Sequence, residues 1–388
     1  KNIKSGSILI EENKDLITQS IEIVKNLNNS YLTIQGPPGT GKTYTSAKII
    51  IELMKVGKKV GVTSNSHEAI KTLLIAIEQQ AVDQNYEFSG MRKSKSSDKH
   101  DWKFIRNVTT GKPLNMDSYS LFAGTSWFFV DPRMNKTLDY LFIDEAGQVA
   151  LGTTIANATS ADNLVLIGDQ MQLSQPMRAK HEGYARMSSL DFILEDDDTI
   201  STDKGVFLNV TRRLNKKICN YISTSFYDSR LTSDPITETR SVNLKLDPIK
   251  DEGLFYVPID HNGCSQRSDE EADLVEKVFN KIVNKQYKSE NIAGKISAKD
   301  IMVVAPYNAQ ANNIRERLKK KFKDDVRVGT IDLFQGQEAK VVLISMTTSD
   351  VESLPRHKDF FFSRNRLNVA ISRAECVAII IFNENLLL

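Results

Sequence analysis

The stretch Gly36-Pro37-Pro38-Gly39-Thr40-Gly41-Lys42-Thr43 constrains this chain more than any other. It reads G-x-x-x-x-G-K-T. Ahead of it lies Tyr31-Leu32-Thr33-Ile34, short, apolar and rich in β-formers. Behind it, residues 44–56 have helical periodicity and stop at Gly57. Strand, glycine-rich turn and helix in that order is the setting in which this motif cradles phosphate. Glycines let backbone N–H groups close around phosphate oxygens, and the helix N-terminus adds its dipole. Lys42 then offers a point charge to the outer phosphates and Thr43 a hydroxyl to Mg²⁺. A turn that binds nothing has no need of all these letters in this setting. Residues 36–43 therefore read as a nucleoside-triphosphate loop.

At 388 residues the chain has room for two or three domains, each with its own core. A net charge of +2 is nearly balanced, so any polyanion surface has to be local. Cys219, Cys264 and Cys376 lie far apart, with no C-x-x-C pair, and the five histidines are scattered. That pattern argues against structural zinc and for a reducing, cytoplasmic setting. No apolar run approaches the ~18 residues of a membrane span, and no signal-peptide pattern opens the chain. The chain begins on Lys1 rather than methionine, so a piece of a longer protein is expected.

Apolar runs recur at 31–34, 59–63, 119–123, 140–143 and 164–167, each ending in polar residues and separated by helical patterns. Such runs belong to a parallel sheet covered on both faces, with its ligand edge at the strand C-termini. These five strands predict one nucleotide-binding domain over residues 1–200, closing near the acidic Glu195-Asp196-Asp197-Asp198. A second set predicts another α/β domain over 201–388. Its strands fall at 254–258, 301–305, 326–331, 341–346 and 377–382, its helices at 214–226, 270–283, 309–322 and 367–374, and it has no phosphate loop. The expected architecture is thus α/β, two parallel-sheet domains in tandem with the nucleotide site in the cleft between them. Residues 83–118 break the rhythm and read as an insertion. There Arg92, Lys93, Lys95, Lys99, Lys103 and Arg106 alternate with Tyr86, Trp102 and Phe104. Cations with aromatics suit a single-stranded nucleic acid; charged, Ser-rich stretches are also commonly solvated loops. Both readings stand at this level.

Asp144-Glu145-Ala146-Gly147 ends an apolar strand about a hundred residues after the phosphate loop. Asp144 is placed to complete a Mg²⁺ site with Thr43, and Glu145 to orient or deprotonate the attacking water. At the end of the next strand, in Gly168-Asp169-Gln170-Met171-Gln172-Leu173, Gln172 can sense the γ-phosphate. Transition-state charge calls for arginines, and Arg212-Arg213 and Arg373 lie at element junctions of the second half. Asp332…Glu338-Ala339-Lys340 superficially mimics a metal-nuclease pattern, but its spacing is loose and no nuclease site is assigned to it.

Together these motifs resemble the superfamily 1 helicases, in the branch that includes the nonsense-mediated-decay RNA helicase. Within it the chain looks most like the helicase half of bacterial proteins that fuse a RecB-like nuclease to such a motor. The resemblance runs from about Gln19 to the C-terminus, through DEAGQ (144–148), GDQMQL (168–173), VVAPYNAQ (303–310), GTIDLFQGQE (329–338) and SRNRLNVAISRA (363–374). It implies RecA-like domains, ATP and Mg²⁺ as ligands, single-stranded nucleic acid as track with DNA ahead of RNA, 5′→3′ travel, and a nuclease domain elsewhere in a longer chain. It implies that Gln19 reads the adenine edge and that Gln335 and Glu338 contact the γ-phosphate region and ribose. Arg213 and Arg373 match the arginines that reach the γ-phosphate from the second domain. Ser64, Asn65, Thr125, Ser126, Tyr307 and Thr330 match nucleic-acid backbone contacts. The family's adenine-stacking aromatic is replaced here by Arg212, whose guanidinium can itself stack on a base. The expectation is an ATP-driven helicase or translocase. The rivals are an ATP-gated clamp and the motor of an attached nuclease.

Overall fold

The computed structural model describes residues 7–11, 14–94, 100–109, 116–173, 183–289, 292–354 and 363–387. These form two compact units. The first comprises residues 1–37, 41–170 and 174–208. The second comprises 209–388 together with two short pieces, Pro38–Thr40 and Met171–Leu173.

The first unit is built on eight parallel strands: β1 (Tyr31–Gln35), β2 (Val60–Thr63), β3 (Gly90–Lys93), β4 (Ile105–Val108), β5 (Leu121–Ala123), β6 (Leu138–Asp144), β7 (Ala161–Gly168) and β8 (Gly205–Phe207). Their spatial order is β4-β3-β5-β2-β6-β7-β1-β8, every pairing parallel. Helices α1 (Leu16–Lys25), α2 (Lys42–Lys55) and α3 (His67–Asp83) contribute Val24, Ile49, Ile50, Leu53, Leu73 and Ile77 to the core against Ile34, Val62 and Phe142. The central strands β2 and β6 are buried nearly throughout, as burial on both faces requires. The sheet brings the C-terminal ends of β1, β7 and β6 side by side. Asp144 pairs in register with Ile167, and Gly36 donates its N–H to the Gly168 carbonyl at 2.9 Å.

Three of these strands were not expected. β8 pairs with β1 and carries the first unit to Leu208, eight residues beyond the boundary read from the sequence. β3 and β4 lie inside the stretch read as an insertion, and they extend the sheet at its edge. Their short, charge-rich sequences hide them: β4, at the open edge, buries only Ile105 and tolerates polar residues, whereas β3 lies between β4 and β5 and buries Gly90, Met91 and Arg92. Arg92 is only 1% exposed; it donates to the His67 carbonyl at 3.2 Å and lies over the Trp102 ring. Tyr86, Phe88, Trp102 and Phe104 pack against the core. Those aromatics and Arg92 therefore serve the fold, which corrects both the solvated-loop and the strand-contact readings for them. Lys95 and Lys99 lie outside the described residues.

The second unit has a five-stranded parallel sheet in the order 253–258, 374–382, 339–345, 301–304, 327–329. Its helices Asp269–Ile282 and Asn308–Phe322 bury Val275, Phe279, Ile314 and Leu318 against Leu343 and Ile379. A small antiparallel sheet of Ser241–Val242, Gln286–Ser289 and Ile292–Lys295 stands beside it. All five strands and four helices expected here form, with ends shifted by a few residues at most. No helix among the described residues is long and apolar enough to cross a membrane.

Candidate nucleotide site and nucleic-acid cleft

In the first unit, β1 delivers the chain into the glycine turn, and Gly41, in the left-handed region at φ 84°, caps α2. Lys42 begins the helix and folds its ammonium back onto the Gly36 carbonyl at 2.5 Å, inside the loop it serves. A lysine held this way keeps its positive charge at the phosphate loop. The adjoining Thr43 is half-buried.

Asp144 ends β6, buried, accepting the Glu145 N–H at 3.0 Å. Burial pushes its carboxyl up to about 7; the neighbouring Glu145 carboxylate adds to this and Lys42 opposes it. Glu145 sits in the left-handed region at φ 53°, a strain of ~1–3 kcal/mol for a non-glycine residue. Such strain is held in place by the packed strand ends on either side. A buried carboxyl at a strand end, a half-buried hydroxyl on Thr43 and a lysine within electrostatic reach fit a hydrated divalent cation beside phosphate.

Two residues that the motif reading passed over support this edge. Gln35, wholly buried just before the loop, donates to Gln170 Oε1 at 2.9 Å and to the Asp198 carbonyl at 3.0 Å, and accepts from Ile200 N–H at 2.7 Å. Gln170 also donates to Asp198, at 2.8 Å. This network ties the ends of β1 and β7 to the acidic segment ahead of β8. A buried glutamine directly before the phosphate loop was the available signal. On α1, Gln19 accepts the Glu11 N–H at 2.7 Å and donates to the carbonyls of Glu11 and Lys14, both at 3.1 Å. Its amide thus already reads a donor–acceptor pair, the peptide of Glu11.

The second unit gathers the remaining predicted residues around Pro38–Thr40. Thr211 donates to the Pro38 carbonyl at 2.8 Å, and Arg212 N–H to the Gly39 carbonyl at 2.9 Å. Gly39, at φ 76°, has no room for a side chain: a Cβ there would meet Arg213 Cβ at 2.4 Å. Arg213 donates to Glu338 Oε2 at 2.7 Å and to the Ser372 carbonyl at 3.4 Å, next to the buried Arg373. Arg373 in turn donates to the Gln337 carbonyl at 3.1 Å. Arg213, Glu338 and Arg373 are thus brought together from three separate motifs. The Arg212 side chain is turned to Asp234, at 3.1 Å, and Gln335 is exposed. Gln172 is buried, and its backbone carbonyl accepts from Asn365 at 2.6 Å.

Ser64, Asn65, Thr125 and Ser126 line one cleft of about 520 Å³ in the first unit, formed where β2 and β5 end. Asn65 donates to the Gln148 carbonyl, and Ser126 accepts from Asn157 at 3.0 Å. Tyr307 and Thr330 belong to the second unit, where they follow the adjacent strands Ile301–Val304 and Arg327–Gly329. Burial raises the Tyr307 phenol above its usual range.

A phosphate loop between a buried parallel strand and its helix, with an acidic pair at a neighbouring strand end, defines a P-loop nucleoside triphosphatase. Two family models, each described as an AAA domain, match residues 19–177 and 189–385. The chain belongs to this AAA-domain family, among the superfamily 1 helicases whose motif order it carries. Its relatives include the DNA polymerase alpha-associated DNA helicase A of Schizosaccharomyces pombe, 25% identical over 91% of this chain and 61% of the relative. The DNA replication ATP-dependent helicase/nuclease DNA2 of Saccharomyces cerevisiae is 26% identical over 92% and 25% respectively. The Regulator of nonsense transcripts 1 homolog of Drosophila melanogaster is 24% identical over 96% and 35%. The chain spans less than two thirds of each of these three proteins.

Proposed function

We propose that this chain is the motor core of an ATP-dependent helicase or translocase that acts on single-stranded nucleic acid, DNA ahead of RNA, and travels 5′→3′. The observation that carries the reading is the placement of Lys42, Asp144 and Glu145 at one sheet edge, close enough for Lys42 and Glu145 to act in opposite senses on the Asp144 proton. In this reading Lys42 holds the outer phosphates, Glu145 takes the proton of the attacking water, and Gln172 senses phosphate loss. Arg213 and Arg373 neutralise charge on the transferred phosphoryl, an effect worth roughly 10³–10⁵ in rate. Thr43 and Asp144 are the residues that would hold Mg²⁺, whose charge offsets that of the phosphates. Gln19 and Arg212 face the base, Gln335 and Glu338 the γ-phosphate region and ribose. Ser64, Asn65, Thr125, Ser126, Tyr307 and Thr330 take the strand.

DNA is placed ahead of RNA because two of the three relatives above carry DNA in their names; the third is named for transcripts. The helicase/nuclease relative supports a nuclease partner in a longer chain. Three free thiols suit a reducing, cytoplasmic-type compartment. The test is ATP hydrolysis measured alone, with single-stranded DNA and with single-stranded RNA, alongside strand displacement on tailed duplexes. Stimulation with displacement is the expected result. Stimulation without displacement would make the chain a clamp or a nuclease's motor, and no stimulation by either polymer would end the motor reading.

A further inference from the structure

Beside the phosphate edge, the first unit carries a feature that none of the motifs assigns. Trp127 is 84% exposed, more than any other large hydrophobic side chain among the described residues, and it borders the cleft of Ser64, Asn65, Thr125 and Ser126. It is displayed from a fixed base. The next two residues, Phe128 and Phe129, are buried and pack edge to face at 5.0 Å, which locks the short helix Ser126–Phe129 in place. A bare indole on an anchored turn is costly to leave in water, and it is a ready stacking surface.

The opposite wall is kept low. Gly152, Thr153 and Ala156 of the helix Leu151–Ala158 face the cleft, and a Cβ on Gly152 would meet nothing within 4 Å. Glycine inside a helix costs about 1 kcal/mol relative to alanine, so packing does not explain this residue. In the cleft wall the Ser64 hydroxyl is buried, the residue only 2% exposed, with no hydrogen-bond partner among the described residues. The volume of about 520 Å³ falls within the ~300–1,000 Å³ of ligand clefts.

We propose that this cleft holds an unstacked base of the bound single strand, laid against the Trp127 indole. The inference rests on the motor reading and adds to it. The backbone contacts expected of Ser64, Asn65, Thr125 and Ser126 are indifferent to whether a base is present, whereas the Trp127 contact requires one.

The experiment compares a labelled oligothymidylate with an abasic strand of the same length, by anisotropy. Trp127→Ala should weaken oligothymidylate binding roughly 5- to 100-fold and leave the abasic strand within about twofold. Trp127→Phe should restore most of the loss. Gly152→Leu should fill the cleft and reproduce the Trp127→Ala pattern without lowering the thermal midpoint. Fluorescence gives a second readout, because the chain has two tryptophans. Emission should be quenched by oligothymidylate in Trp102→Phe and not in Trp127→Phe. Wild-type-like oligothymidylate binding by Trp127→Ala, or equal loss on both strands, would overturn the inference alone. A wild-type protein that binds neither strand would overturn the motor reading with it.

Discussion

Arg213 donates from Nε to Oε2 of Glu338 at 2.7 Å across 125 residues of sequence. The arginine side chain is 13% exposed and the carboxylate 51%. An ion pair half in water contributes only about 0–1 kcal/mol to folding, so in the proposed reading it serves to aim the guanidinium.

Glu338→Gln should therefore change stability by under about 1 kcal/mol in urea unfolding while lowering nucleotide turnover. Arg213→Ala should lower turnover by roughly 10³ or more. A stability loss of several kcal/mol in Glu338→Gln would assign the pair to folding instead.

Glu145 is both strained and charged beside a buried acid. Glu145→Gln should keep nucleotide binding and lower turnover roughly 10²–10⁴-fold. Glu145→Gly should be equally inactive but gain up to about 1 kcal/mol in thermal unfolding, because glycine adopts φ 53° freely and the repulsion on Asp144 is gone. A less stable glycine variant would show that the left-handed turn carries no strain.

In the proposed reading Gln19 exchanges its bonds to the Glu11 peptide for those of a base edge. Gln19→Ala should weaken ATP binding roughly tenfold and leave GTP little changed, read by competition with a fluorescent analogue. Equal loss for both nucleotides would place Gln19 in holding residues 7–11 rather than in reading the base.

Two glycines should respond oppositely to alanine. At Gly61 a Cβ would press within 2.6–2.8 Å of Leu138, Leu141 and Phe129, so Gly61→Ala should cost about 1–3 kcal/mol. Gly152→Ala meets open space on a helix and should be neutral or stabilising by up to about 1 kcal/mol. Chemical denaturation measures both.

The thiols should separate cleanly. Burial pushes Cys219 up to about 11 and Cys376 up to about 12, whereas Cys264 is half-exposed. Native protein should release one equivalent with a thiol reagent, and denatured protein three. A rapid second equivalent would mean that one of the buried strand or helix thiols opens in the native state.

The sequence alone determined the α/β class, the two-sheet organisation and the phosphate loop. Apolar runs that alternate with helices permit little besides buried parallel strands, and the loop's glycines, lysine and threonine are local requirements. The acidic pair was legible for the same reason, since Asp144 and Glu145 are adjacent in the chain. The tertiary structure decided the rest. Strands 90–93 and 105–108 were invisible, because each is only four residues long and carries Arg92, Lys93 or Arg106 where an apolar run would be expected. The pairing of Arg213 with Glu338 beside Arg373 depends on which strand ends become neighbours, and strand order is a property of the sheet, not of any segment. Trp127 follows the same logic: its neighbours Phe128 and Phe129 look no different in sequence, and only packing decides which of three consecutive aromatics is left facing water.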